Sequence, residues 1–296
     1  MTPRQFDNPN AFKASLEDRL RSRAAGSDLQ RVRQLVVYDR FLARLFHDRA
    51  DDIVLKGGLA MELRCERARA TKDVDLRMMG HPDTTLERLQ GAGRLDLGDF
   101  LTFRVEADAR HPTIEADGLA YEGRRYRVQG MLAGKPFGRP FGTDVAFAEP
   151  IVGEPELLEG EPWLAFIGIG ATRVRAYPLL THIAEKLHAY TLPRPRPNSR
   201  VKDLPDLALL AGVRSVNADE LRAALRATFD HRATHNLPIT VPEPSEAWNA
   251  PYREMAIEHG LQWATLDVLM PAVKAFLEPA LGGRDGKWDP QLWRWD

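Results

Sequence analysis

Cysteine is almost absent: Cys65 is the only one in 296 residues. Without a second thiol there is no intrachain disulfide and no cysteine-built zinc cluster, so nothing ties the chain to an oxidising compartment. Cys65 follows Leu59, Ala60 and Leu63, which suits a small helix residue better than a nucleophile. Long apolar runs are missing too: none approaches the about 20 residues that span a bilayer, and the opening MTPRQFDNPN has no apolar signal region. The expectation is a cytoplasmic protein with no membrane partner. Neither sign of charge dominates, with 41 Lys plus Arg against 42 Asp plus Glu, so only the local distribution of charge can speak for or against nucleic acid. No G-x-x-x-x-G-K-[ST] occurs, which excludes a Walker loop.

What is present is the balance of an ordinary soluble chain, 44% hydrophobic and 28% charged, long enough for one large domain or two modest ones. Apolar residues at helical spacing predict helix over 12–49, interrupted near Ala25-Gly26-Ser27. Asp52 to Lys56 reads as a short buried strand, Gly57-Gly58 as a turn, and Leu59 to Arg67 as a helix. A strand at Asp73 to Met78 and a helix from about Pro82 to Leu95 follow. Alternation predicts strands at Leu101–Ala107, Arg125–Ala133 and Asp144–Phe147, and short apolar runs read as strands at Trp163–Ile169 and Arg173–Tyr177. From Pro178 the pattern turns helical, with helices around 180–191, 203–211, 218–230, 245–259 and 266–281 and a proline-rich basic loop at 193–200. The last segment carries three of six tryptophans and reads as a tail docked by aromatic burial. The expected domains are 1–177, mixed helix and sheet, and 178–296, helical.

Asp73-Val74-Asp75 is the sharpest chemical signal. On a strand its carboxylates share one side while Val74 and Leu76 face the other, giving a metal-binding edge with an apolar back. Two such carboxylates suit a hard divalent cation that also takes phosphate oxygens and water. Asp144 repeats the Asp-apolar pattern and is the natural third acid, with Glu106 and Asp108 as rivals. Gly57-Gly58 at a helix start lets backbone amides approach a triphosphate, although a plain turn explains the pair as well. Lys186 can serve as a point charge for phosphates, but taken alone it reads better as an exposed helix lysine paired with Glu185 or His182. Asp203 and Asp206 read on local chemistry as a helix cap. Two basic segments, Arg124, Arg125, Arg127, Lys135 and Arg139, then Arg194, Arg196, Arg200 and Lys202, suit an RNA backbone, or a solvated surface.

Four motifs in order resemble the AbiEii/AbiGii-type nucleotidyltransferase toxins, which include the MenT toxins of type IV-like toxin-antitoxin systems. They are Leu55-Lys56-Gly57-Gly58-Leu59-Ala60-Met61-Glu62-Leu63, Arg69-Ala70-Thr71-Lys72-Asp73-Val74-Asp75-Leu76, Ala184-Glu185-Lys186-Leu187-His188-Ala189 and Ser199-Arg200-Val201-Lys202-Asp203-Leu204-Pro205-Asp206-Leu207. The resemblance implies an α+β fold: a polymerase-beta-like core, a mixed sheet flanked by helices, followed by a helical C-terminal region completing the active site. It implies catalytic Asp73, Asp75, Lys186 and Asp203 or Asp206; nucleotide contacts from Lys56, Gly57, Gly58, Arg69, Thr71 and Lys202; and Mg2+ on Asp73, Asp75 and Asp144. The family's Gly-Ser signature stands here as Gly57-Gly58, so a hydroxyl is missing. The implied reaction moves a nucleoside monophosphate from an NTP to RNA, the tRNA 3′ end above all, releasing pyrophosphate and inhibiting growth, with a cognate antitoxin as partner. The alternatives are transfer to a protein or small molecule, or a non-catalytic nucleotide- or RNA-binding module.

Overall fold

The computed structural model describes residues 3–24, 28–47, 50–65, 70–110, 123–147, 151–193 and 200–296. Two helices lead the chain, α1 (Pro9–Ala24) and α2 (Leu29–Leu45); the interruption expected at Ala25-Gly26-Ser27 lies outside the described residues. Asp28 caps α2, its side chain accepting from Gln30 N at 2.8 Å. Strand β1 (Ile53–Lys56) runs straight into α3 (Gly57–Arg64), followed by β2 (Asp73–Met78), α4 (Thr85–Gly93) and β3 (Leu101–Ala107). After these come β4 (Gly123–Leu132), β5 (Lys135–Pro136), β6 (Phe141–Phe147), β7 (Glu156–Glu159) and β8 (Arg173–Ala176).

These strands form one mixed sheet in the order β3-β4-β6-β2-β1-β8-β7, with β5 paired to β4. β2 is antiparallel to β1 and parallel to β6, and β1 is parallel to β8. Val74 and Leu76 are fully buried on the back of β2, where α2 supplies Val36, Val37, Phe41 and Leu42 to the same apolar cluster. A buried ion pair ties α2 to the turn before β3: Asp99 accepts from Arg40 Nε at 2.7 Å and from Arg44 Nη2 at 2.6 Å.

The second half is helical, as the pattern after Pro178 predicts: α5 (Leu179–Thr191), α6 (Asp203–Ala211), α7 (Ala218–Arg232), α8 (Asn249–His259) and α9 (Leu266–Leu281). Strand β9 (Val216–Asn217) precedes α7, and the tail forms β10 (Lys287–Asp289) and β11 (Arg294–Trp295), giving a small sheet ordered β11-β10-β9. Trp288 is fully buried there and donates from Nε1 to Ala211 O at 2.8 Å, so the tail docks as its aromatics suggest. The apolar side chains of this half form a second cluster.

Two local readings change. Trp163–Ile169 is not a strand; it contains a short 3-10 turn, Ala165–Ile167, that ends on left-handed Gly168 at φ +83°. Apolar content without alternation carried no strand signal there, whereas β7, Glu-Leu-Leu-Glu, gave too short a run to read.

Candidate active site

β2 builds the first side of the site. Register places Asp75 beside Asp144 of β6 and Asp73 beside Gly142, so the Asp-apolar patterns of the two strands lie in step. Glu106 and Asp108 lose their claim as third acid, because β4 and β6 separate β3 from β2. Asp73 Oδ1 accepts from Gly142 N at 3.2 Å; a Cβ on Gly142 would stand 2.6 Å from that oxygen, so glycine keeps the approach open. The carboxyl of Asp75 is pushed above its usual range, first by burial and then by the charges of Asp144 and Asp73, against the pull of Lys56 and Lys186. Asp144 is held differently. Arg125 donates to it from Nε and Nη2, both at 2.6 Å, and this bidentate pair raises the pKa of the guanidinium.

β1 and α3 supply the floor. Gly57 sits at φ +66°, and a Cβ there would lie 1.9 Å from Asp75 Oδ2, so both backbone and space demand glycine. Gly58 has a different reason: its Cβ would meet the Thr71 hydroxyl at 2.6 Å. Thr71 thus fills the space that a serine side chain at position 58 would need, and its Oγ1 donates to Asp73 O at 3.3 Å. Lys56 ends β1 with its ammonium 5.7 Å from the centre of the Tyr177 ring.

α5 and α6 supply the second side. Lys186 is buried, not an exposed helix lysine, and donates from Nζ to Asp206 Oδ2 at 2.6 Å and Asp203 Oδ1 at 3.2 Å. Glu185, its expected partner, instead accepts from Arg232 at 2.6 Å. The helix-cap reading of Asp203 fails, since Lys202 takes the cap position of α6 and both aspartates lie in the first turn, wholly buried. Pro205 sits in that turn, where a missing N–H breaks no helical bond. Arg200 Nη1 stands 3.6 Å from Asp203 Oδ2, an oxygen without a hydrogen-bond partner among the described residues.

The two sides meet on a cavity of about 140 Å³ lined by Lys56, Gly57, Asp75, Lys186 and Asp203, among others. The sequence-derived candidates therefore converge, with exceptions. Asp73, Asp144, Asp206, Gly58, Thr71 and the half-buried Lys202 lie outside this lining, and Arg69, Arg194 and Arg196 lie outside the described residues. Two residues of the site were not expected in these roles. Arg125 had been counted with a basic segment and is the partner of Asp144; His182 lines the cavity one turn before Lys186. The signal for Arg125 was its position across a strand pair from an aspartate, visible only once β4 and β6 are in register.

A divalent cation fits part of this donor set. Asp73 and Asp75 offer hard oxygens on one face; Asp75 is raised first by burial, with the charges of Asp144 and Asp73 adding to it, and a cation would favour its ionised form. Among the described residues no group of three or more His, Cys, Asp or Glu is arranged to hold a metal, and Asp144 faces Arg125.

Residues 40–278 match the family model described as nucleotidyl transferase AbiEii toxin, type IV toxin-antitoxin system. Among solved structures, MenT4, a nucleotidyltransferase toxin of Mycobacterium tuberculosis, is similar over 94% of this chain and 92% of its own, at 20% identity and a TM-score of 0.58. JHP933 of Helicobacter pylori is similar over 81% of this chain and 90% of its own, at 16% identity and a TM-score of 0.42. No curated protein matches.

Proposed function

This chain belongs to the AbiEii nucleotidyltransferase toxin family, and from that premise we propose that it transfers a nucleoside monophosphate from an NTP to RNA, at the tRNA 3′ end, with Mg2+ and release of pyrophosphate. The observation that carries the reading is the shared cavity between Asp75 and Gly57 on one side and Lys186 on the other. It juxtaposes carboxylates for a cation with donors for phosphates, the equipment that phosphoryl-transfer chemistry needs.

Asp73 and Asp75 would hold the cation, which when bound neutralises phosphate charge and makes an acceptor hydroxyl more acidic. The start of α3 at Gly57 and Gly58 offers backbone N–H groups to a phosphate, while the missing Cβ of Gly57 makes room for Asp75. Lys186, buried between Asp203 and Asp206, is a positioned point charge for the phosphate chain, and the two aspartates fix where its ammonium stands. Lys56 adds a second cation from the β1 end and Arg200 lines the same cavity, while Thr71 supports Gly58 and Lys202 stands outside the lining. Arg127, Lys135 and Arg139 are exposed and offer positive charge to the acceptor backbone. No helix among the described residues is long and apolar enough to cross a membrane, and the reaction is assigned to the cytoplasm, where a cognate antitoxin restrains it.

Incubation with each labelled NTP, Mg2+, total tRNA and the neighbouring antitoxin tests the reading. Label on the tRNA 3′ end is the expected result; label on the antitoxin alone overturns the acceptor.

A further inference from the structure

His182 lines the cavity on α5, and its ring is 2% exposed. Arg64 Nη1 lies 3.1 Å from its Nδ1, and a guanidinium can only donate, so Nδ1 is the acceptor and the proton of the neutral ring sits on Nε2. Arg64 is itself fixed, donating from Nη2 to Glu156 Oε2 at 2.8 Å and to Tyr177 O at 2.6 Å. Nε2 is buried and has no hydrogen-bond partner among the described residues. Burial first, then the cations of Lys186 and Arg64, hold the imidazole well below its ordinary pKa, against the opposite pull of Asp206, so it stays uncharged. A buried donor without an acceptor is costly and rare in a finished core, and at the wall of a ligand cavity it marks a place where the ligand supplies the acceptor.

We infer that His182, as a neutral Nε2–H donor, contacts a phosphate oxygen of the bound nucleoside triphosphate. The inference rests on the nucleotidyltransferase reading of this cavity and adds a contact that the motif residues do not include. Phosphate is favoured over base for two reasons. A volume of about 140 Å³ is below the about 300 Å³ of ordinary small-molecule pockets and takes part of a ligand. The aromatic face in the lining, Tyr177, already carries the Lys56 ammonium, so no stacking platform is left for a base among these residues. Lys186 follows His182 by one helical turn, so one phosphate chain can meet a charged and an uncharged donor in succession.

The experiment measures affinity for NTP and for inorganic tripolyphosphate, without RNA, in wild type, His182→Phe and His182→Gln with Mg2+, alongside steady-state transfer to tRNA. The expected result is about tenfold weaker binding of both ligands and a raised KM for NTP in His182→Phe, with kcat held and with His182→Gln, which still presents an amide donor, near wild type. Unchanged affinity in His182→Phe, a loss confined to RNA, or equal loss in His182→Gln overturns the contact. Histidine 15N spectra of the wild type decide independently of any variant's folding: an Nε2–H tautomer whose Nε2 signal moves on adding tripolyphosphate supports the contact, and no movement overturns it. Wild type that binds NTP through His182 but labels no RNA overturns the acceptor and leaves the contact standing; wild type that binds no NTP overturns both.

Discussion

The two sides of the cavity balance charge in opposite ways. On the sheet side Asp73 is held by Gly142 N and Asp75 packs into the room that Gly57 leaves by lacking a Cβ, and neither is in an ion pair among the described residues. On the helix side Lys186 is closed in by Asp203 and Asp206, all three buried and hydrogen-bonded. The first arrangement waits for a cation from outside, while the second brings its own. Residues of similar chemistry in one site therefore depend differently on the fold: removing a sheet carboxylate relieves repulsion, whereas removing the lysine takes the shared ammonium from two buried carboxylates.

That contrast sets the largest expected effect. Asp73→Ala or Asp75→Ala should reduce nucleotide transfer by at least about 1,000-fold while Tm measured in EDTA stays level or rises. A Tm loss equal to that of a Lys186 variant would break the comparison. Lys186→Met should lose both transfer and stability, about 3 to 5 kcal/mol by urea unfolding, because the buried Asp203 and Asp206 then lose the ammonium they share. The Arg200 guanidinium, 3.6 Å from Asp203, is too distant to replace it. Adding Asp203→Asn and Asp206→Asn to Lys186→Met should recover much of that stability and none of the activity.

Asp99 supplies the structural extreme against which both sides can be measured. Burial alone would raise its pKa, but the hydrogen bonds and charges of Arg44 and Arg40 outweigh it and hold the carboxyl below its usual range. Its folded value lies under its unfolded value near about 4, so the stabilisation is complete above that pH and is lost as pH falls through the folded value. Urea midpoints should drop on acidification in the wild type and drop less in Asp99→Asn, by a difference of about 1 to 3 kcal/mol. The smallest effect belongs to Arg125. Arg125→Gln releases Asp144 beside Asp75, and Mn2+ binding followed by electron spin resonance should tighten about two- to fivefold. Unchanged binding would show that Asp144 is not a ligand.

Much of this was legible before any coordinates. The period-two alternation around Asp73 and Asp75 fixed a strand with an acidic face because β2 buries its apolar side completely. The shift to helical spacing at Pro178 marked the second half for the same reason, since each helix must bury one stripe. Pairing was not legible. The Asp-apolar pattern at Asp144 could not say which strand lies beside it, and only the parallel register of β2 and β6 puts it next to Asp75 while β4 and β6 keep β3 apart. Local chemistry misread Asp203 as a cap, because the partner that claims it, Lys186, comes from another helix. His182 was invisible for the same reason: its meaning lies in Arg64, 118 positions away.

The tryptophans give the molecule an uneven optical voice. Trp248, Trp263, Trp288, Trp293 and Trp295 all belong to or pack on the helical cluster, and only Trp163 packs against the sheet cluster. Indole emission therefore reports almost entirely on the half that holds Lys186, while a far-ultraviolet dichroism signal averages both. A gap between the two unfolding curves would reveal the sheet and the helices parting company, without a label or a substitution.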